Sequence, residues 1–123
     1  MKFIDSSIWL DHFAETSKNS IAIIESSEVV QCSILSLYEV EKRLIKLKVT
    51  PEEIERALQF IKLIGIIINL NEDILSQAVN FSVKYNLSAI DALIYATAME
   101  QNSILITADN NFRGLPNTEI IDK

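Results

Sequence analysis

Apolar residues recur along the chain with two alternating periodicities, which predict short strands separated by helices. Runs rich in β-branched residues are typical of strands, and apolar positions three or four residues apart are typical of helices. The predicted strands are residues 2–5, 28–34, 66–69, 103–108 and 118–121. The predicted helices are residues 6–15, 19–26, 35–48, 51–63, 72–85 and 87–101. This alternation indicates an α/β protein with a central parallel sheet that carries helices on both faces.

Several helix boundaries are marked by their capping residues. Thr50 and Pro51, followed by acidic residues, predict a helix start, and Asn71 is expected to cap the next helix. Ser6 or Ser7 is available to cap the first helix. The third predicted helix carries an apolar stripe of Leu37, Val40, Leu44 and Leu47.

Length and composition predict one globular domain over residues 1–123, in which 49% of residues are apolar and 23% are charged. Cys32, the single cysteine, excludes a disulfide framework and is expected to be a buried thiol in a reducing compartment. The first residues show no signal-peptide pattern, so we expect a cytoplasmic protein. The net charge of −6 argues against general attraction to polyanions, but residues 42–48 carry four cations and no anion.

Four acidic residues stand alone in apolar surroundings: Asp5, Glu39, Asp91 and Asp109. Asp5 and Asp109 end predicted strands, and Glu39 and Asp91 lie in predicted helices. In parallel α/β sheets, ligands bind beyond the carboxyl ends of the strands. Asp91 lies in a helix that is apolar nearly all round, so its carboxylate needs a cation, hydrogen-bond donors or a metal ion.

Each acid also has a purely structural interpretation. Asp5 could cap the first helix, Glu39 could pair with Arg43, Asp91 could form a capping box with Ser88, and Asp109 could shape a turn. All four structural interpretations would have to hold independently, so we favour the single alternative that the four acids share one site. Carboxylates at close range repel each other, and hard divalent cations such as Mg²⁺ or Mn²⁺ relieve that repulsion through oxygen ligands. Such ions can support phosphodiester hydrolysis.

Four segments resemble one known family: FIDSSIWL, SILSLYEVEKRL, LSAIDALIYATA and ILITADNNF. The chain resembles PIN-domain nucleases, and among them the VapC-like toxins of bacterial and archaeal toxin–antitoxin pairs. The succession of DALIxATA and LITADxxF is the most specific part of this match. The resemblance implies a PIN-like three-layer α/β/α fold with a central parallel sheet of four to five strands.

The same resemblance implies that Asp5, Glu39, Asp91 and Asp109 form the catalytic, metal-binding tetrad of a Mg²⁺-dependent ribonuclease, with Mn²⁺ as a possible substitute. It also implies that Ser7 and Thr107 steady these acids through hydrogen bonds. Asn111 stands where many relatives carry another acid, and the glycine common soon after the glutamate is absent. An RNA substrate, a small antitoxin encoded elsewhere and a homodimer are further expectations from this resemblance.

Lys42, Arg43 and Lys46 share one polar stripe with Glu39 and form either a solvated face or a track for RNA phosphates. Arg113 has the same two interpretations. A phosphatase of the haloacid dehalogenase type would require a second Asp at the position of Ser7, and a receiver domain would require an acidic pair and a strand-end lysine. The main alternative is a PIN fold that binds RNA or protein without cleaving it.

Overall fold

The computed structural model describes residues 1–26 and 28–122. Within them the strands are Lys2–Ile4 (β1), Val30–Ser33 (β2), Gly65–Ile68 (β3), Ile104–Thr107 (β4) and Thr118–Ile120 (β5). The helices are Ser6–Ala14 (α1), Lys18–Glu25 (α2), Ile34–Lys46 (α3), Pro51–Ile64 (α4), Glu72–Tyr85 (α5) and Ala89–Glu100 (α6). A 3₁₀ turn at Asn110–Phe112 follows β4. The predicted order of strands and helices is confirmed.

The strands form one sheet in the order β3-β2-β1-β4-β5, and all neighbouring pairs are parallel. From β1 the chain builds outward through β2 and β3, then crosses back to place β4 on the other side of β1. The strand order therefore reverses between β1 and β4. In open parallel sheets such a switch point leaves a crevice at the carboxyl ends of the strands, where ligands bind.

The side chains of the central strands pack alternately into two separate cores, because successive residues of a strand point to opposite faces of the sheet. Ile4 and Ile106 pack in a core with Trp9 of α1, whereas Phe3 and Leu105 pack in a core with Tyr95 of α6. The first core is completed by α2, α3 and α4, and the second by α5. The arrangement is the expected three-layer α/β/α fold.

Two local predictions were wrong. The N-cap of α1 is Asp5 rather than Ser6 or Ser7, and both hydroxyls lie inside the first turn of the helix, where they bond acidic side chains instead. The helix predicted over residues 35–48 ends at Lys46, so Leu47 lies just beyond α3 instead of on its apolar stripe and is 55% exposed.

Other predictions about the framework are confirmed. The side chains of Thr50 and Asn71 accept hydrogen bonds from backbone N–H groups of α4 and α5, respectively. Cys32 is buried, and burial raises the pKa of its thiol to about 12, which leaves it protonated. Across residues 1–26 and 28–122, none of the helices combines the length and apolar character that crossing a membrane requires.

Candidate functional site

Asp5 lies just after β1, at the switch point, and only 4% of its surface is exposed. Its Oδ2 atom accepts hydrogen bonds from the hydroxyls of Ser7 at 2.8 Å and Thr107 at 2.7 Å. Each hydroxyl oxygen in turn accepts a backbone N–H, that of Ala108 for Ser7 and that of Asp109 for Thr107. The backbone after β4 thus orients both hydroxyls toward the Asp5 carboxylate.

Glu39 reaches the same place from α3. The Ser6 hydroxyl donates to Glu39 Oε1 at 3.0 Å, and Ser6 directly follows Asp5 in the chain. No ion pair between Glu39 and Arg43 occurs among the residues that the structure describes. The local salt-pair interpretation of Glu39 is therefore wrong, and its carboxylate faces the acids rather than the neighbouring cations.

Asn111 connects the remaining two acids. Its backbone N–H donates to Asp109 Oδ1 at 2.9 Å, and its side-chain amide donates to Asp91 Oδ2 at 3.4 Å, a long bond. Asp91 lies in the first turn of α6, where its own N–H donates to Ser88 Oγ at 3.4 Å. Ser88 therefore caps α6 as the capping-box interpretation predicts, yet the Asp91 carboxylate still points toward Asn111.

One hydrogen-bonded network consequently joins the four isolated acids. The Ser6 hydroxyl donates to Glu39 and its backbone N–H donates to Asp5. Thr107 donates to Asp5 and accepts the backbone N–H of Asp109, and Asn111 donates to both Asp109 and Asp91. Four separate parts of the chain contribute to it. The carboxyl ends of β1 and β4 bring these parts together because the two strands are direct neighbours.

The acids also act on one another electrostatically. Burial raises the pKa of Asp5 above its ordinary value, the hydrogen bonds from Thr107 and Ser7 oppose that rise, and the charge of Asp91 adds to it. Burial likewise raises the pKa of Glu39, and the neighbouring carboxylates of Asp5, Asp91 and Asp109 raise it further. Burial and the charge of Asp109 raise the pKa of Asp91. Asp5, Glu39 and Asp91 therefore each hold a proton more readily than a free carboxyl group does.

The donor set suits a hard divalent cation. All four acids offer oxygen atoms, none of them is fully exposed, and none forms an ion pair with a Lys or Arg among residues 1–26 and 28–122. Within these residues, however, no three His, Cys, Asp or Glu side chains are grouped closely enough to hold one ion as they stand. The site supplies suitable ligand chemistry and charge, but not a closed coordination shell.

The sequence matches the family model of the PIN domain over residues 2–117, which is most of the chain. The chain belongs to the PIN domain family. A comparison with curated proteins gives no match.

Solved structures share the fold of this PIN domain along most or all of its length. A toxin–antitoxin complex from Klebsiella pneumoniae matches with a TM-score of 0.82 and 25% identity, covering 100% of both chains. VapBC2 from Rickettsia felis, bound to a promoter DNA fragment, matches with a TM-score of 0.78 and 15% identity, covering 99% of this chain and 98% of that chain. VapC20 from Mycobacterium tuberculosis, a sarcin–ricin loop cleaving toxin, matches with a TM-score of 0.68 and 19% identity, covering 83% of this chain and 84% of that chain. The resemblance to VapC-like PIN-domain proteins is confirmed.

The predicted RNA-binding cations of this PIN domain divide into two groups. Lys42, Arg43 and Lys46 are exposed on α3, line the same groove as Glu39, and pair with no acid among the described residues. Arg113 is engaged elsewhere, since its guanidinium donates to Asn110 Oδ1 at 3.0 Å and Asp122 Oδ1 at 3.1 Å. The α3 cations remain available to a ligand, whereas Arg113 holds the turn after β4 to the last described residues.

A larger hollow of about 780 Å³ lies between α1, α3 and α4, and we call it the α1–α3–α4 hollow. It begins at Ser7 and Ala108, next to the acids, and extends away from them. Apolar side chains form much of its lining, including Leu10, Phe13, Leu44, Leu47 and Phe60, and two arginines, Arg43 and Arg56, also belong to it.

The sequence alone did not identify two residues as part of the site. Ser6 was expected only as a helix cap, and Asn111 only as a departure from the family pattern, but both donate to the acids. The position of Ser6 beside Asp5 was the available signal for the first. The bridge from Asn111 to Asp91 depends on how the 3₁₀ turn meets α6, which no local sequence pattern specifies.

Proposed function

We propose that this PIN domain is a metal-dependent endoribonuclease that hydrolyses RNA phosphodiester bonds and acts as the toxin of a VapBC-type pair. The observation that carries the proposal is the network joining Asp5, Glu39, Asp91 and Asp109 at the switch point of the sheet. A cluster of half-buried and buried carboxylates with no cation partner is costly unless a ligand compensates its charge.

The ligand we propose is Mg²⁺, with Mn²⁺ as a substitute, held by oxygen atoms of Asp5, Glu39, Asp91 and Asp109. Such an ion supplies Lewis-acid stabilisation of a phosphate oxygen and lowers the pKa of a bound water. Ser7 and Thr107 hold Asp5 in one orientation, Ser6 positions Glu39, and Asn111 positions Asp91. Some rotation of these side chains is needed before three of them can share an ion.

RNA is the proposed substrate for two reasons. The exposed cations Lys42, Arg43 and Lys46 line a groove that includes Glu39, so phosphates bound there lie beside the acids. In addition, one of the solved structures with this fold is a toxin that cleaves the sarcin–ricin loop.

The proposed partner is a small antitoxin protein, as in the toxin–antitoxin complexes that share this fold. The α1–α3–α4 hollow suits an apolar segment of such a partner, because it is largely apolar and ends beside the acids at Ser7. A segment seated there would run up to the acids and could cover them. The homodimer stays a prediction, to be checked by light scattering.

The decisive experiment is cleavage of a structured RNA in the presence of Mg²⁺ or Mn²⁺. Asp5→Asn and Asp91→Asn should each reduce the rate by at least about 100-fold, since both remove a proposed ligand. Asp73→Asn on α5 is the matched control, because it removes the same charge from an exposed acid distant in the chain from the network. Equal cleavage rates for the wild type and the three variants would exclude the proposed nuclease activity. RNA that binds without being cleaved would favour the alternative, a PIN fold that binds RNA without cleaving it.

A further inference from the structure

The groove beside Glu39 contains more than phosphate-binding cations. We call it the α3 groove; it has a volume of about 410 Å³ and is lined by Leu35, Tyr38, Glu39, Lys42, Arg43, Lys46 and Ile90. All but one of these residues lie on α3, at positions that share one face of the helix. Ile90 comes from α6 and directly precedes Asp91. One end of the groove is therefore formed by neighbours of the catalytic acids.

Tyr38 is the large aromatic residue in this groove, and 56% of its surface is exposed. It directly precedes Glu39 in the chain, and the Lys42 ammonium lies 5.7 Å from the centre of its ring. Leu35 and Ile90 add apolar surface to the same groove. The aromatic ring and the apolar side chains suit a base, and the Lys42 ammonium, which forms no ion pair with an acid among the described residues, suits a phosphate.

We propose that Tyr38 stacks on an unpaired base of the RNA beside the phosphodiester that is cleaved, while Lys42 and Lys46 contact the adjacent phosphates. This inference rests on the proposed function and assigns to Tyr38 the positioning of one unpaired base of the substrate. In a duplex, the bases are already stacked and paired, so an exposed aromatic ring cannot reach a base face.

The charge of the α3 groove favours RNA over a protein segment as its occupant. The groove is lined by three cations, Lys42, Arg43 and Lys46, and by one acid, Glu39, which bonds Ser6 rather than any of the three cations. The groove therefore presents net positive charge beside an aromatic ring, which complements a polyanion.

The test measures binding rather than cleavage, in an Asp91→Asn background. The probes are an RNA hairpin with 2-aminopurine in its loop and a fully paired RNA duplex of the same stem sequence. Tyr38→Ala should weaken hairpin binding roughly 10-fold and raise the 2-aminopurine fluorescence of the complex, because the base loses its stacking partner. Tyr38→Phe should bind within about 2-fold of the parent, since its ring still stacks. Duplex binding should be weaker and insensitive to either change.

Val83→Ala is the control, because Val83 lies on α5, is 82% exposed and lines neither the α3 groove nor the surface beside Tyr38. It should leave hairpin binding unchanged. The dependence of binding on salt should keep its slope in Tyr38→Ala, since no cation is removed.

The inference is overturned if Tyr38→Ala binds the hairpin as the parent does, or if hairpin and duplex lose affinity equally. It is also overturned if Tyr38→Ala abolishes antitoxin binding while RNA binding is unchanged, because the groove would then serve a protein. Failure of the proposed function is distinguishable from these results: Asp91→Asn would cleave RNA as fast as the wild type, whatever the effect of Tyr38.

Discussion

The Thr107 hydroxyl donates a hydrogen bond to Asp5 Oδ2 over 2.7 Å, although the two residues lie 102 positions apart in the chain. Thr107→Val keeps the size and branching of the side chain but removes this donor from a buried carboxylate. We expect cleavage of hairpin RNA to fall about 10- to 100-fold, as kcat/KM, because groups that orient metal ligands have effects of that order. Thr107→Ser should restore most of the activity, since its hydroxyl can occupy the same position. Wild-type activity in Thr107→Val would show that the bond has no positioning role.

Asp5 should destabilise the metal-free protein at neutral pH. Burial raises the pKa of its carboxyl group in the folded state, so folding favours the protonated acid. The stability that this group contributes is complete below its unfolded pKa of about 3.9 and is lost as the pH rises through the raised folded pKa. Asp5→Asn removes that loss. In the presence of EDTA at pH 7.5, we expect its Tm to exceed that of the wild type by roughly 4 °C or more, which corresponds to about 1 kcal/mol in a domain of this size.

The same comparison at pH 4 provides the internal check for Asp5, because the advantage of Asp5→Asn should shrink there. Asp73→Asn should show no such gain at pH 7.5. A Tm of Asp5→Asn below that of the wild type at both pH values would mean that Asp5 is stabilising as a carboxylate, contrary to the expected direction.

Asn111 offers a way to change the affinity for metal without removing a proposed ligand. Asn111→Asp adds a carboxylate between Asp91 and Asp109, so the metal-free Tm should fall through repulsion. The rise in Tm on adding Mg²⁺ or Mn²⁺ should exceed that of the wild type, because stabilisation grows with the ratio of ligand concentration to Kd. Asn111→Ala, which removes the amide donor but adds no charge, should not gain metal affinity. Identical metal-induced shifts in Asn111→Asp and the wild type would exclude metal binding beside this residue.

The α3 cations should determine the salt dependence of RNA binding. Lys42→Ala with Lys46→Ala removes two phosphate contacts, so the slope of log K against log salt should become less steep by about 1.4 for single-stranded RNA. Lys18→Ala with Lys62→Ala is the charge-matched control on α2 and α4, and its slope should equal that of the wild type. An unchanged slope in the α3 variant would assign Lys42 and Lys46 to ordinary solvated surface.

Leu47 tests the proposed antitoxin surface. It is 55% exposed and lines the α1–α3–α4 hollow, so Leu47→Glu places a charge in an apolar docking surface without disturbing the core. We expect binding of the antitoxin to weaken at least about 10-fold while RNA cleavage persists, measured by calorimetry and by hairpin cleavage. Leu63→Glu is the control, since Leu63 is 84% exposed and outside the hollow. Equal affinity in both variants would place the antitoxin elsewhere.

The order of strands and helices was predictable because each element carries a local signal. The β-branched runs predicted β3 and β4, and Thr50 with Pro51 predicted the start of α4. Isolated acids at strand ends were also predictable, since Asp5 and Asp109 interrupt apolar sequence. These signals depend on a few neighbouring residues, and tertiary contacts did not override them.

The partners of the site residues were not predictable in the same way. Ser6 and Ser7 have good capping propensity, but contact with Glu39 and with Asp5 directs their hydroxyls elsewhere. Arg113 pairs with Asp122 because the chain returns through β5 beside the turn that carries the arginine. Such contacts join distant segments, and a single sequence contains no local trace of them.

The pairing of β1 directly with β4 has a consequence for synthesis of the protein. The first strand carries Asp5, and its neighbour on that side is made only after residues 104–107 have been translated. A nascent chain that stops short of this strand has neither Asp109 nor the Thr107 hydroxyl that orients Asp5. A ribosome making this protein is therefore exposed to no assembled group of these four acids until Asp109 has been translated and β4 has paired with β1.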